Sequence, residues 1–135
     1  MLEKVQRKFL RYLAYREHII IENHNYTGII QLSKLNSLKH RREVADIIFL
    51  HKLLINKIDS PELLSCVNIK IQRLSARHRA LFEPVLYTTN IGYNSPLNRF
   101  MRLSNIITSA PLDLDFFSLS TDNLKSKLSV LSTLH

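Results

Sequence analysis

A single cysteine, Cys66, occurs in 135 residues, so no intramolecular disulfide can form and nothing in the sequence marks an oxidising compartment. Two glycines and four prolines are too few for a sandwich or barrel built on many tight reversals. The longest unbroken apolar run is Ile47-Ile48-Phe49-Leu50, far short of the roughly 20 residues needed to span a bilayer. Met1 to Arg11 alternates charge with bulk and has neither an apolar centre nor a small-residue cleavage site. A secretory leader is therefore not expected, and an intracellular location, nuclear or cytoplasmic, fits best. Acidic residues are the scarce charge: 11 Asp+Glu stand against 19 Lys+Arg, a formal net charge of +8. That excess favours an anionic partner, with nucleic acid ahead of a membrane surface.

What is present is apolar bulk, 45% of the chain and mostly Leu and Ile. A chain this long can hide roughly 70% of its unfolded surface, enough for one modest core. The expectation is a mainly α fold: a small helical domain over residues 1–110, followed by a connector and C-terminal helix over 111–135. A short β-hairpin between the central and later helices is left open. The positive charge is segmental. Residues 1–42 carry nine basic and three acidic side chains, and 68–102 carry six basic and one acidic.

In the first segment Leu2, Val5, Phe9, Tyr12 and Leu13 recur at helical spacing and predict a helix whose core face they form. Lys4, Arg7, Lys8 and Arg11 fall together on the other arc and make the clearest basic surface of the chain. A solvated outer face is the plain alternative, and phosphate contact the functional one. A membrane-surface role for this helix would need a second anchoring signal, and none is evident.

A turn at Asn23–Gly28 and a short helix around Ile29 follow. Ser37 then reads as the N-cap of a long central helix from Leu38 to about Asn56. Its first turn carries Lys39, His40, Arg41 and Arg42, where the macrodipole disfavours cations. A phosphate bound there would offset the mismatch. Ser60-Pro61-Glu62 opens a short helix, with Cys66 expected as small core filler.

Val67, Ile69 and Ile71 alternate as in a strand, with Phe82–Tyr87 as the candidate partner. The intervening Arg73, Arg77 and Arg79 fall in an exposed connection and are candidate phosphate contacts. Asn90–Asn94 reads as a turn, and Ser95-Pro96 opens a helix to about Ile107. Tyr93, near Arg99, is a candidate base-stacking residue. A last helix after Thr121 carries Leu124, Leu128 and Leu131 on one stripe.

An ordered series of motifs runs through the chain: Leu2-Glu3-Lys4-Val5-Gln6-Arg7-Lys8-Phe9-Leu10-Arg11, then Ser37-Leu38 with Arg41-Arg42, then Ile48 to Leu53 leading into Asp59-Ser60-Pro61-Glu62. The strongest is Thr89-Asn90-Ile91-Gly92-Tyr93-Asn94-Ser95-Pro96-Leu97-Asn98-Arg99, continuing through Met101 to Asn105. Taken together they resemble the region after the polymerase core of jockey-type non-LTR retrotransposon reverse transcriptases. The resemblance implies a truncated C-terminal, thumb-side segment of an RNA-directed DNA polymerase. Such a segment helps to hold template RNA or primed DNA, while the palm does the chemistry. The alternative is a helical protein-interaction module that docks through its apolar helix faces on a polymerase domain or another partner.

No Tyr-x-Asp-Asp motif occurs, nor any other carboxylate pair spaced for two metal ions. The six histidines are scattered and the lone cysteine completes no zinc set. The chain is accordingly expected to be non-catalytic, with no metal and no cofactor. The nucleic-acid-binding candidates are Lys4, Arg7, Lys8, Arg11, Lys39, Arg41, Arg42, Arg73, Arg77, Arg79, Tyr93 and Arg99.

Overall fold

The computed structural model describes residues 2–33, 36–70, 80–109, 112 and 114–131. The protein is mainly α, with seven helices among these residues: α1 Leu2–Arg16, α2 Thr27–Ser33, α3 Leu38–Leu54, α4 Pro61–Ser65, α5 Asn90–Tyr93, α6 Pro96–Thr108 and α7 Thr121–Val130. The chain divides into two compact units, Met1–Arg41 and Arg42–His135. Among the described residues no helix is long and apolar enough to cross a membrane.

In the first unit Leu10 and Ala14 of α1 and Ile29 of α2 are buried, with Leu13, Ile19, Ile21, Tyr26 and Ile30 packed around them. This corrects the expected core face of α1. Val5, Phe9 and Tyr12 are exposed, and the buried stripe of Leu10 and Ala14 is rotated by about 130° from the apolar arc of the sequence. The small Ala14 gives the seven-residue α2 a place to approach, and so short a helix cannot cover a wider face.

α1 ends without glycine. The amide of Ile19 donates to the Ala14 carbonyl at 2.8 Å and that of His18 to Tyr15 at 3.3 Å, the paired bonds of a Schellman stop. His18 occupies the left-handed position, with φ 55°, and Ile19 packs back on the unit's core. α3 closes in the same way. Lys57 donates to the Lys52 carbonyl at 2.8 Å and Asn56 to Leu53 at 3.3 Å, with Asn56 at φ 57°.

The core of the second unit gathers Ile47, Leu50 and Leu53 of α3, Met101 and Ile107 of α6, Leu124 and Leu128 of α7, and Phe82 and Phe116 from the connections. Each large side chain buried there contributes about 1.5–3 kcal/mol. Ile107 on one side of the expected 110/111 boundary and Leu124 on the other share this core. The C-terminal helix is therefore packed into the core of the second unit.

His51 is fully buried among these side chains. Phe116 meets its ring edge-on at 5.2 Å. The His51 Nε2 lies 3.1 Å from the Leu119 carbonyl and its Nδ1 lies 3.4 Å from Thr121 Oγ1, which accepts from Lys57 Nζ at 3.2 Å. The carbonyl can only accept, so Nε2 carries the ring proton and Nδ1 takes the hydroxyl proton.

Between α4 and α5 one antiparallel bridge sets Ile69 opposite Phe82, and no strand forms among the described residues. Lys70 donates to Leu81 and Glu83 to Asn68, both at 2.9 Å. The other edge of Phe82 is taken by a side chain. Its amide donates to Asn105 Oδ1 at 2.8 Å, and Asn105 Nδ2 donates back to its carbonyl at 2.9 Å. A carboxamide thus does what a third strand would do, and Pro84, with no N–H, follows two residues on. Cys66 is exposed, not core filler, because α4 buries none of its residues.

Candidate nucleic-acid interface

Lys4, Arg7, Lys8 and Arg11 are all exposed on α1. At about 100° per residue they occupy one arc of about 100°, beside the buried stripe of Leu10 and Ala14. Among the described residues no carboxylate pairs with Lys4, Arg7 or Lys8. Arg11 Nε donates to Tyr26 Oη at 2.8 Å, which fixes the guanidinium while other N–H donors remain on its planar fork. Residues 1–41 carry eight basic and three acidic side chains, so the field of this unit is positive.

Tyr15, which is 83% exposed, falls among these cations on the helical wheel, and Tyr12, which is 63% exposed, lies just beyond Lys8. The apolar spacing of the sequence alone places Tyr12 on the core face. The one signal against that assignment is Ala14, a small residue on the arc that α2 approaches.

Lys39 and Arg41 are exposed in the first turn of α3, whereas His40 of the same run is buried. The Ser37 hydroxyl accepts from the His40 amide at 3.1 Å, as the sequence predicts, so one amide that a bound anion would use already has its partner. Gln6 Nε2 donates to the Asn36 carbonyl at 3.4 Å and links α1 to the residue ahead of this cap. Arg42, in the second unit, is exposed. Arg73, Arg77 and Arg79 lie outside the described residues.

The Thr89–Arg99 motif forms a braced corner. Thr89 Oγ1 accepts from the Gly92 amide at 3.2 Å and closes a single helical turn, α5, where a plain turn was expected. A Cβ on Gly92 would come within 2.6 Å of the Tyr87 ring, so only glycine fits beneath it. Ser95 precedes α6 without a side-chain cap bond, and Pro96 sets the first helical φ.

The Tyr93 carbonyl accepts from Asn98 Nδ2 at 3.2 Å and from Arg102 Nη2 at 3.0 Å. The Arg102 guanidinium also lies 3.6 Å from the centroid of the Tyr93 ring, so a cation already occupies one face of that ring. Arg99 is held by Asp46 through two hydrogen bonds. Within this corner Tyr93 and Arg99 are both engaged in holding the turn to its neighbouring helices. Among the described candidates, the four cations of α1 stand together in solvent.

No family model matches the chain, and neither does any curated protein or solved structure.

Proposed function

We propose that the chain is a non-catalytic segment like that after the polymerase core of jockey-type non-LTR reverse transcriptases, and that it contributes RNA or DNA binding through the outer face of α1. The observation that carries this reading is the cluster Lys4, Arg7, Lys8 and Arg11, four exposed cations within about two helical turns. Cations so placed bind a phosphate chain by releasing its condensed counterions, a gain that is independent of base sequence and falls with added salt. The ordered motifs from Leu2 to Asn105 support the kinship, and the lack of a Tyr-x-Asp-Asp motif is why no catalysis is assigned to this chain.

The test is fluorescence anisotropy of a labelled RNA with the purified chain across a salt series. Four phosphate contacts give a slope of log affinity against log salt of about −3 to −4. A folded chain that ignores RNA and duplex DNA in dilute buffer would overturn the reading.

A second reading, a helical module docking on a polymerase domain or another protein, is favoured by Leu86 and Ile91, which are almost wholly exposed. It expects the isolated chain to self-associate, and L86S/I91S to relieve that without changing RNA affinity.

A further inference from the structure

We propose that the face of α1 bearing the cations takes unpaired nucleic acid, with Tyr12 and Tyr15 as stacking platforms for bases. This rests on the nucleic-acid reading above and names the substrate class of the same surface. On the helical wheel Arg11, Lys4, Tyr15, Lys8 and Tyr12 follow one another within about 100°, so each tyrosine has a cation on its flank. Lys8 and Tyr12 are one turn apart, as are Arg11 and Tyr15, and Tyr12 and Tyr15 are neighbours at i and i+3. Their exposure, 63% and 83%, leaves the ring faces to solvent, and neither ring has an aromatic or cationic partner among the described residues.

Phosphate binding alone needs no aromatic surface, and a duplex offers none of its base faces to one. An unpaired strand offers both the anionic chain and the base faces, and interleaved tyrosines and cations match that combination. Beside Tyr15 an open depression is lined by Ala14, Tyr15, Arg16, His18, Ile19 and Ile20. Its lining joins apolar side chains to Arg16, a combination that suits a base splayed out of the strand. Stacking on tyrosine discriminates little among the four bases, so the preference is for single strands over duplex rather than for a sequence.

The experiment measures anisotropy of an unstructured 12-nucleotide RNA and of an RNA hairpin with the same number of phosphates, at fixed low salt, for the full chain and for Y12L/Y15L and Y12F/Y15F. Leucine keeps apolar bulk and helix propensity without a π face, and phenylalanine keeps the π face. The expected result is tighter binding of the single strand by the native chain. Y12L/Y15L should lose about 10-fold for the single strand and under 2-fold for the hairpin, with native affinity in Y12F/Y15F.

Equal binding of both RNAs with no loss in Y12L/Y15L would overturn this inference and leave the phosphate-binding reading standing. Binding to neither RNA by the folded native chain would overturn that reading and the inference with it. Unchanged RNA binding in Y12L/Y15L with reduced retention on phosphatidylserine vesicles would assign the tyrosines to a membrane surface and overturn the inference. Circular dichroism of each variant reports folding, and both tyrosines lie outside the core.

Discussion

Arg99 of α6 grips Asp46 of α3 with two hydrogen bonds, Nε to Oδ2 at 2.6 Å and Nη2 to Oδ1 at 3.2 Å. The paired geometry fixes the register of α6 against α3 and neutralises the cation that ends the chain's longest motif. Arg99→Gln should destabilise the fold by about 1–2 kcal/mol, since part of the pair is solvent-exposed, and should change RNA affinity less than 2-fold. Urea unfolding with a double-mutant cycle through Asp46→Asn checks the first part. Equal and additive single losses would mean that the two residues do not act on each other.

The exchange between Asn105 and the Phe82 backbone makes a second forecast. Asn105→Leu leaves a backbone N–H and C=O without partners, at a cost of about 2–3 kcal/mol. Asn105→Asp keeps an acceptor for the amide but sets a carboxylate against the carbonyl, so it should not rescue. Amide exchange at Phe82, slow in the native chain and faster in both variants, distinguishes this from a general loss of packing.

His18 offers a change in the opposite direction. It holds a left-handed φ at the end of α1, a conformation costly to residues with a Cβ and natural to glycine. His18→Gly should stabilise the first unit by about 0.5–1 kcal/mol, and Asn56→Gly at the end of α3 should gain less because asparagine tolerates that region. Thermal melts of the two variants give the comparison, and a lower melting temperature for His18→Gly would contradict it.

Helix starts were legible in the sequence because they are local chemistry. Ser37 caps as expected, and the prolines at 61 and 96 each open a helix. The ends of α3 and α6 fall close to their expected places, whereas the stop of α1 was not legible, since His18 there does work that glycine usually signals. The core face of α1 was misread because hydrophobicity marks Val5, Phe9 and Tyr12, whereas burial depends on what lies opposite, and α2 is too short to cover them. The basic cluster of α1 was legible because its four cations share one arc under helical spacing alone. The partners of Arg99 and Phe82 lie 53 and 23 positions away, beyond the reach of any periodicity.

Burial holds the His51 imidazole below its ordinary value of 6.5, and Lys57 acts in the same direction against the pull of the Leu119 hydrogen bond. The neutral ring is thus favoured in the folded state. Its contribution to stability is fully present above pH 6.5 and is lost as pH falls below that value toward the lowered folded one, because the unfolded chain takes up the proton first. His51→Gln should lower stability at pH 7.5 and flatten the decline between pH 7.5 and 5. Urea midpoints of both proteins across that range report it, and parallel curves would show that His51 contributes nothing to the acid limb.

The proposed nucleic-acid binding depends on the cations of α1, and the salt dependence of RNA binding measures their contribution. Comparing the native chain with K4Q/R7Q/K8Q/R11Q isolates their share, because glutamine removes charge while keeping helix propensity. The native slope of about −3 to −4 should fall by about 3 in the variant, with helicity unchanged. A variant that stays folded and keeps both the native affinity and the native slope would contradict it.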